Sequence, residues 1–146
     1  MDRIKADFFR TTLLNERRLG CRQTLTFLDL PFPADHTADA GDPNWTEKLT
    51  DYDPTAKTLV FLPGDRLEAL LPDLERLLQP GSALAFDWPY PGNSREPGTL
   101  DLLLSRYGFR LYEQRDLYDT LLWYQQMKAR MPHGPRRRTL CLAVRR

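Results

Sequence analysis

The apolar positions of this chain recur in two different periods, and the switch between them is clearest from Thr58 to Asp87. Thr58-Leu59-Val60-Phe61-Leu62 is a short apolar run halted by Pro63-Gly64, and Ala83-Leu84-Ala85-Phe86 is a second, halted by Asp87-Trp88-Pro89. Between them Leu67, Leu70, Leu71, Leu74, Leu77 and Leu78 follow helical spacing, with charges on the opposite side. Asp65 is placed to cap that helix, and Pro80-Gly81 to stop it. Two buried strands joined by a crossover helix make a βαβ unit, which is parallel and right-handed. Its strand ends, near Pro63-Gly64 and Asp87–Tyr90, then face a crevice.

The flanks extend this pattern. Ile4, Phe8, Leu13, Leu14 and Leu19 predict an amphipathic helix from Arg3 to Leu19, stopped by Gly20. Thr24 to Leu30 has the β-branched and aromatic content of a strand, ended by Pro31-Phe32-Pro33. From Ala34 to Thr55 the periodicity disappears, save for one helical turn marked by Trp45 and Leu49. A loop of that length reads as a binding segment, a lid or disorder. Asp87 to Gly98 is a second polar loop. Thr99 then caps a helix carrying Leu100, Leu102, Leu103, Leu104 and Tyr107, which Gly108 ends. Phe109 to Glu113 alternates as a half-exposed strand, Asp116 to Met131 is helix-like, and Thr139 to Val144 is strongly β-prone. Strands alternating with helices predict the α/β class.

Length fits one domain over residues 1–146, able to bury roughly 70% of its unfolded surface around a single core. With 21 basic and 20 acidic residues mostly interspersed, bulk charge does not call for nucleic acid. The exception starts at Lys128, after which Arg130, Arg136, Arg137, Arg138, Arg145 and Arg146 occur with no acid among them. That run reads either as a solvated hairpin with Arg ends or as a basic patch able to meet RNA. Cys21 and Cys141 are far apart, without CxxC spacing or a His pair, and read as buried free thiols. Asp35, His36, Asp39 and Asp42 are turn-forming residues and lack the regular donor array of a hard-metal loop, so no metal is expected. His36 and His133 have no nucleophile partner, which argues against Ser-His or Cys-His catalysis. No signal peptide or membrane span is evident, and a cytoplasmic location is expected.

Leu74-Glu75-Arg76-Leu77-Leu78-Gln79-Pro80-Gly81-Ser82-Ala83-Leu84-Ala85-Phe86-Asp87 resembles the Lys-Pro-Gly-Gly and strand signature that follows the fourth strand of class I S-adenosylmethionine-dependent methyltransferases. Tyr107-Gly108-Phe109-Arg110-Leu111 resembles that family's Gly-Phe entry to its sixth strand, and Thr139 to Arg146 its antiparallel seventh. The resemblance covers about the last 90 residues. It implies a Rossmann-like three-layer sandwich with a reduced sheet in the family order 1-4-5-7-6, ending in an antiparallel hairpin. It also implies methyl transfer from S-adenosylmethionine to a small molecule or RNA. The N-terminal half departs from the pattern. Where a glycine-rich turn would receive the cofactor, Leu28-Asp29-Leu30-Pro31-Phe32-Pro33 offers prolines, which lack amide donors and fix φ. Asp29 is the one residue there that matches a cofactor-binding position.

The departure favours a protein without catalytic activity that binds or scaffolds, with no cofactor, over an active methyltransferase. In that case a first strand lacking neighbours predicts a homo-oligomer or a protein partner at its edge. Substrate-side candidates are Pro63, Gly64 and Asp65 after the fourth family strand. Asp87, Trp88, Pro89 and Tyr90 join them, since this stretch resembles the Asp-Pro-Pro-Tyr motif of adenine amino-methyltransferases. Tyr118 and Trp123 follow the sixth strand, where the family often builds its substrate pocket. Each has a plainer reading as a turn, a cap or a core aromatic. No residue is assigned a catalytic role.

Overall fold

The computed structural model describes residues 3–14, 19–90, 99–116 and 137–146. In chain order its elements are α1 (Arg3–Leu14), β1 (Gln23–Thr26), β2 (His36–Thr37), β3 (Thr58–Leu62), α2 (Leu67–Leu77), β4 (Ala83–Tyr90), α3 (Thr99–Arg106), β5 (Phe109–Asp116) and β6 (Arg137–Arg145). Short 3₁₀ turns at Trp45–Lys48 and Gly64–Arg66 complete the set. The six strands form one sheet in the order β2-β1-β3-β4-β6-β5. β2, β1, β3 and β4 are mutually parallel, while β6 runs antiparallel to both β4 and β5. The central crossover and the C-terminal hairpin are therefore as the sequence predicts.

Why the sheet is covered on both faces can be read from alternate residues. Val60 and Leu62, Leu84 and Phe86, and Cys141 and Ala143 face α2 and α3, joining Leu67, Leu70, Leu71, Leu74, Leu100 and Leu104. Leu59 and Phe61, Ala83 and Ala85, and Leu140 and Leu142 face the other way, against Phe8 and Phe9 of α1. Every residue of β3 is fully shielded from solvent. The period of two makes this a three-layer α/β sandwich. On the α1 side small alanines leave room for aromatics, and Phe61 meets Phe9 edge-on at 5.6 Å and Phe32 at 5.8 Å.

Several boundaries differ from the sequence reading; β5 runs on to Asp116, where a helix to Met131 was expected whose remaining residues lie outside those described, and β6 begins at Arg137. β1 stops at Thr26 and not Leu30, because the Thr26 hydroxyl takes the Leu28 amide at 3.0 Å and turns the chain out of the ladder. β2 lies inside the stretch read as structureless and flanks β1, so the first strand does not lack a neighbour. The clasp is reciprocal: the Thr24 amide and hydroxyl donate to Asp35 Oδ2 at 2.9 and 3.1 Å, and the Asp35 amide returns a bond to Thr24 Oγ1 at 2.9 Å. The rest of the long loop is tied to the sheet by Gln23, whose side chain bonds Asp53 and Thr58. β4 continues through Tyr90 where a loop was expected, since β6 pairs with it as far as Tyr90–Arg137. β3 ends opposite Phe86, so Pro89 sits where β4 has a partner on one side only, a position that tolerates a missing amide. Finally, Asp65 does not cap α2; it lies within the Gly64–Arg66 turn, and no side chain caps the helix. Between Leu111 and Glu113 the β5–β6 register slips at a bulge that leaves Tyr112 exposed.

Phe61→Ala should cost about 3–5 kcal/mol, because its cavity would open between two rings that cannot collapse into it. Urea unfolding followed by tryptophan fluorescence measures it, and a loss below about 1 kcal/mol would contradict the packing described.

Candidate functional site

Because β2, β1, β3 and β4 are parallel, their carboxyl ends share one edge of the sheet. Residues 27–35, the chain leaving β2 at Ala38, the Pro63–Arg66 turn and the end of β4 all reach that edge. In sheets of this kind ligands bind there.

The turn after β1 is filled by its own chain. The Phe27 amide donates to the Phe61 carbonyl at 2.8 Å, and the Leu28 amide to Thr26 Oγ1 at 3.0 Å. Leu28, Leu30 and Phe32 pack onto the core on the α1 side, and Pro31 and Pro33 have no amide to give. Asp29 is exposed in this turn. The Phe27 and Leu28 amides that precede it are thus used within the fold.

Of Pro63, Gly64 and Asp65, the structure brings Gly64 against Asp87. The Gly64 amide donates to Asp87 Oδ1 at 3.3 Å, and a methyl group on Gly64 would stand 1.5 Å from the Asp87 carbonyl oxygen. Only glycine allows the two backbones so close. Asp87 is buried and faces inward, whereas Asp65 is exposed. Trp88 is half-buried against the core under α2 and α3. Pro89 and Tyr90 are backbone partners of Arg138 and Arg137 within the sheet. Tyr118 and Trp123 lie outside the described residues.

Next to this clasp sits Cys141, opposite Phe86 in the ladder. Burial, then the Asp87 and Asp101 carboxylates, push its thiol from 9.0 up to about 12. It is a structural thiol, inert near neutral pH.

A cavity of about 320 Å³ lies past the end of β2, between Thr37–Asp39 and Asp42, Trp45 and Lys48. In the sequence Trp45 reads only as part of a helical turn, and its one signal is a lone tryptophan in a polar stretch. Its ring meets Phe27 edge-on at 4.9 Å, and its buried indole N–H has no hydrogen-bond partner among the described residues. Asp42 pairs with Lys48, which holds the carboxyl below and the ammonium above their ordinary ranges. Asp39 Oδ1 accepts the Gly41 amide at 2.9 Å, Asp35 is held by Thr24, and His36 Nε2 lies 3.2 Å from Gln23 Oε1. The four residues of the imagined metal cluster thus serve turns and the β1–β2 clasp.

No protein-family model matches the sequence, and a search of curated proteins finds no match. Solved structures do match in fold. A DUF574 family protein from Streptomyces avermitilis superposes with a TM-score of 0.59 at 12% identity, over 99% of this chain and 83% of that one. The CcbJ methyltransferase from Streptomyces caelestis superposes with a TM-score of 0.56 at 13% identity, over 98% and 94%. The chain has a methyltransferase-like, Rossmann-like fold.

Gly64→Ala should destabilise the protein by about 3 kcal/mol, since the backbone at Asp87 has nowhere to move; a urea midpoint within error of the parent would refute the clasp. For Cys141 the folded state holds its proton to about pH 12 and the unfolded chain only to about 9. Stability present below pH 9 is therefore lost as pH rises from 9 toward 12. Tyr52 is also pushed up by burial, so the contribution of Cys141 is isolated by Cys141→Ala, which should flatten this decline in unfolding free energy.

Proposed function

We propose that this protein uses the methyltransferase fold as a binding module and does not transfer methyl groups. The observation that carries this reading is the turn after β1. Its first two amides bond within the chain, Pro31 and Pro33 have none, and Phe32 is packed onto Phe61. A cofactor amino acid or ribose bound there would have to compete with those contacts for the Phe27 and Leu28 amides. The Asp87 carboxylate likewise supports the Gly64 turn, which argues for a structural role in place of a substrate clamp.

What binds is a protein partner or a second copy, in keeping with a fold retained after its chemistry has gone. β2 covers the edge of β1 where the sequence placed that partner, so the contact moves to the faces and loops of the carboxyl edge. Pro63, Asp65 and Trp88 are the described candidates there.

A second reading is methyl transfer from S-adenosylmethionine to a small molecule or RNA. It is favoured by the cavity beyond β2, which Asp39 and the buried Trp45 line at the carboxyl edge of the sheet. Isothermal titration of the purified chain with S-adenosylmethionine and S-adenosylhomocysteine separates the two. The binding-module reading expects no saturable heat up to about millimolar ligand, whereas a micromolar Kd, about −8 kcal/mol, would overturn it.

A further inference from the structure

The opposite edge of the sheet, where the parallel strands begin, holds a second cavity of about 670 Å³ between Gly20–Arg22 and Asp53–Lys57. It is separate from the carboxyl edge: the Arg22 amide donates to the Lys57 carbonyl at 2.8 Å just ahead of β1 and β3. The volume falls in the range of small-molecule sites.

Two cations line it, Arg22 and Lys57. Among the described residues no carboxylate reaches the Arg22 guanidinium or the Lys57 ammonium, and no hydrogen bond from either side chain is made. The one acid on the described wall, Asp53, is already engaged, because Thr55 donates its amide and hydroxyl to it at 2.9 and 2.6 Å. Lys57 lies close to two glycines. A Cβ on Gly81 would lie 2.8 Å from Lys57 Cε and 3.1 Å from Nζ, and one on Gly20 would lie 3.5 Å from Nζ. Both glycines hold positive φ, +89° and +76°, so the lysine stem lies across two bare stretches of backbone with its ammonium set at the cavity.

We propose that this cavity binds the phosphate groups of a nucleotide-sized ligand, clasped between Lys57 and Arg22. Two cations of different shape suit a multiply charged anion better than a single carboxylate. The arginine fork meets phosphate oxygens bidentately, while lysine supplies a point charge. The site shares no residue with the carboxyl edge, so it stands whether or not the binding-module reading does.

The test is titration of the full chain with ADP and with inorganic pyrophosphate, monitored by calorimetry. Saturable binding is expected for both, with Arg22→Gln and Lys57→Gln each weakening it by at least about tenfold and Lys57→Arg retaining most of it. Both side chains are exposed, so the urea midpoints should stay at the parent value and exclude loss of fold. ADP binding more tightly than pyrophosphate would extend the site to the nucleoside, and equal affinity would confine it to the phosphates. Absence of saturable heat up to about 10 mM, or affinities indifferent to both glutamine substitutions, would overturn the assignment.

Discussion

Burial of β3 and β4 on both faces is the constraint from which the rest follows. Neither strand has a polar side to turn to water over Leu59–Leu62 and Ala83–Phe86, so a helical layer must close each face. The connection from β3 to β4 is one such layer, α2, and it forces the two strands parallel. Parallel strands in turn gather their carboxyl ends at one edge. The position of every candidate group at that edge is thus inherited from apolar periodicity, not from the groups themselves.

Within that frame, the turn after β1 is packed by its own side chains. A glycine turn would present free amides and then let a helix cover the α1-side face. Here Leu28, Leu30 and Phe32 do the covering directly, and the hydroxyl of Thr26 redirects the chain. Buried polar groups on β1 are satisfied rather than removed: Gln23, Thr24 and Thr26 are all shielded, and each is hydrogen-bonded to a neighbouring segment. Gln23 and Thr24 thereby tie residues 35–58 to β1.

Legibility in the sequence followed the length of the pattern. α2, β3 and the core of β4 carry enough consecutive apolar positions to be read, and the strand order followed from the resemblance of the C-terminal half. β2 has two residues, too few for any period to show, and its existence depends on Asp35 finding Thr24 across the turn. Strand β4 past Phe86 looked like a loop because Asp87 and Pro89 are poor strand formers. Pairing with β6 overrides that preference, a tertiary effect that local composition does not carry. Of the site, the sequence marks the two strand ends at Pro63-Gly64 and Asp87, but not their close contact or the inward-facing carboxylate. Trp45 and the cations at the far edge acquire meaning only once distant segments are assembled.

The bulge at Tyr112 bears on how this molecule avoids its own kind. A regular outer strand offers a row of backbone donors and acceptors onto which another chain can add. At one end of the described sheet β2 offers only two residues, and at the other the extra residue in β5 interrupts the spacing any incoming strand would have to match. Growth of the sheet into fibrillar or runaway polymers is discouraged at both margins, and any association the protein enters is steered toward side-chain recognition.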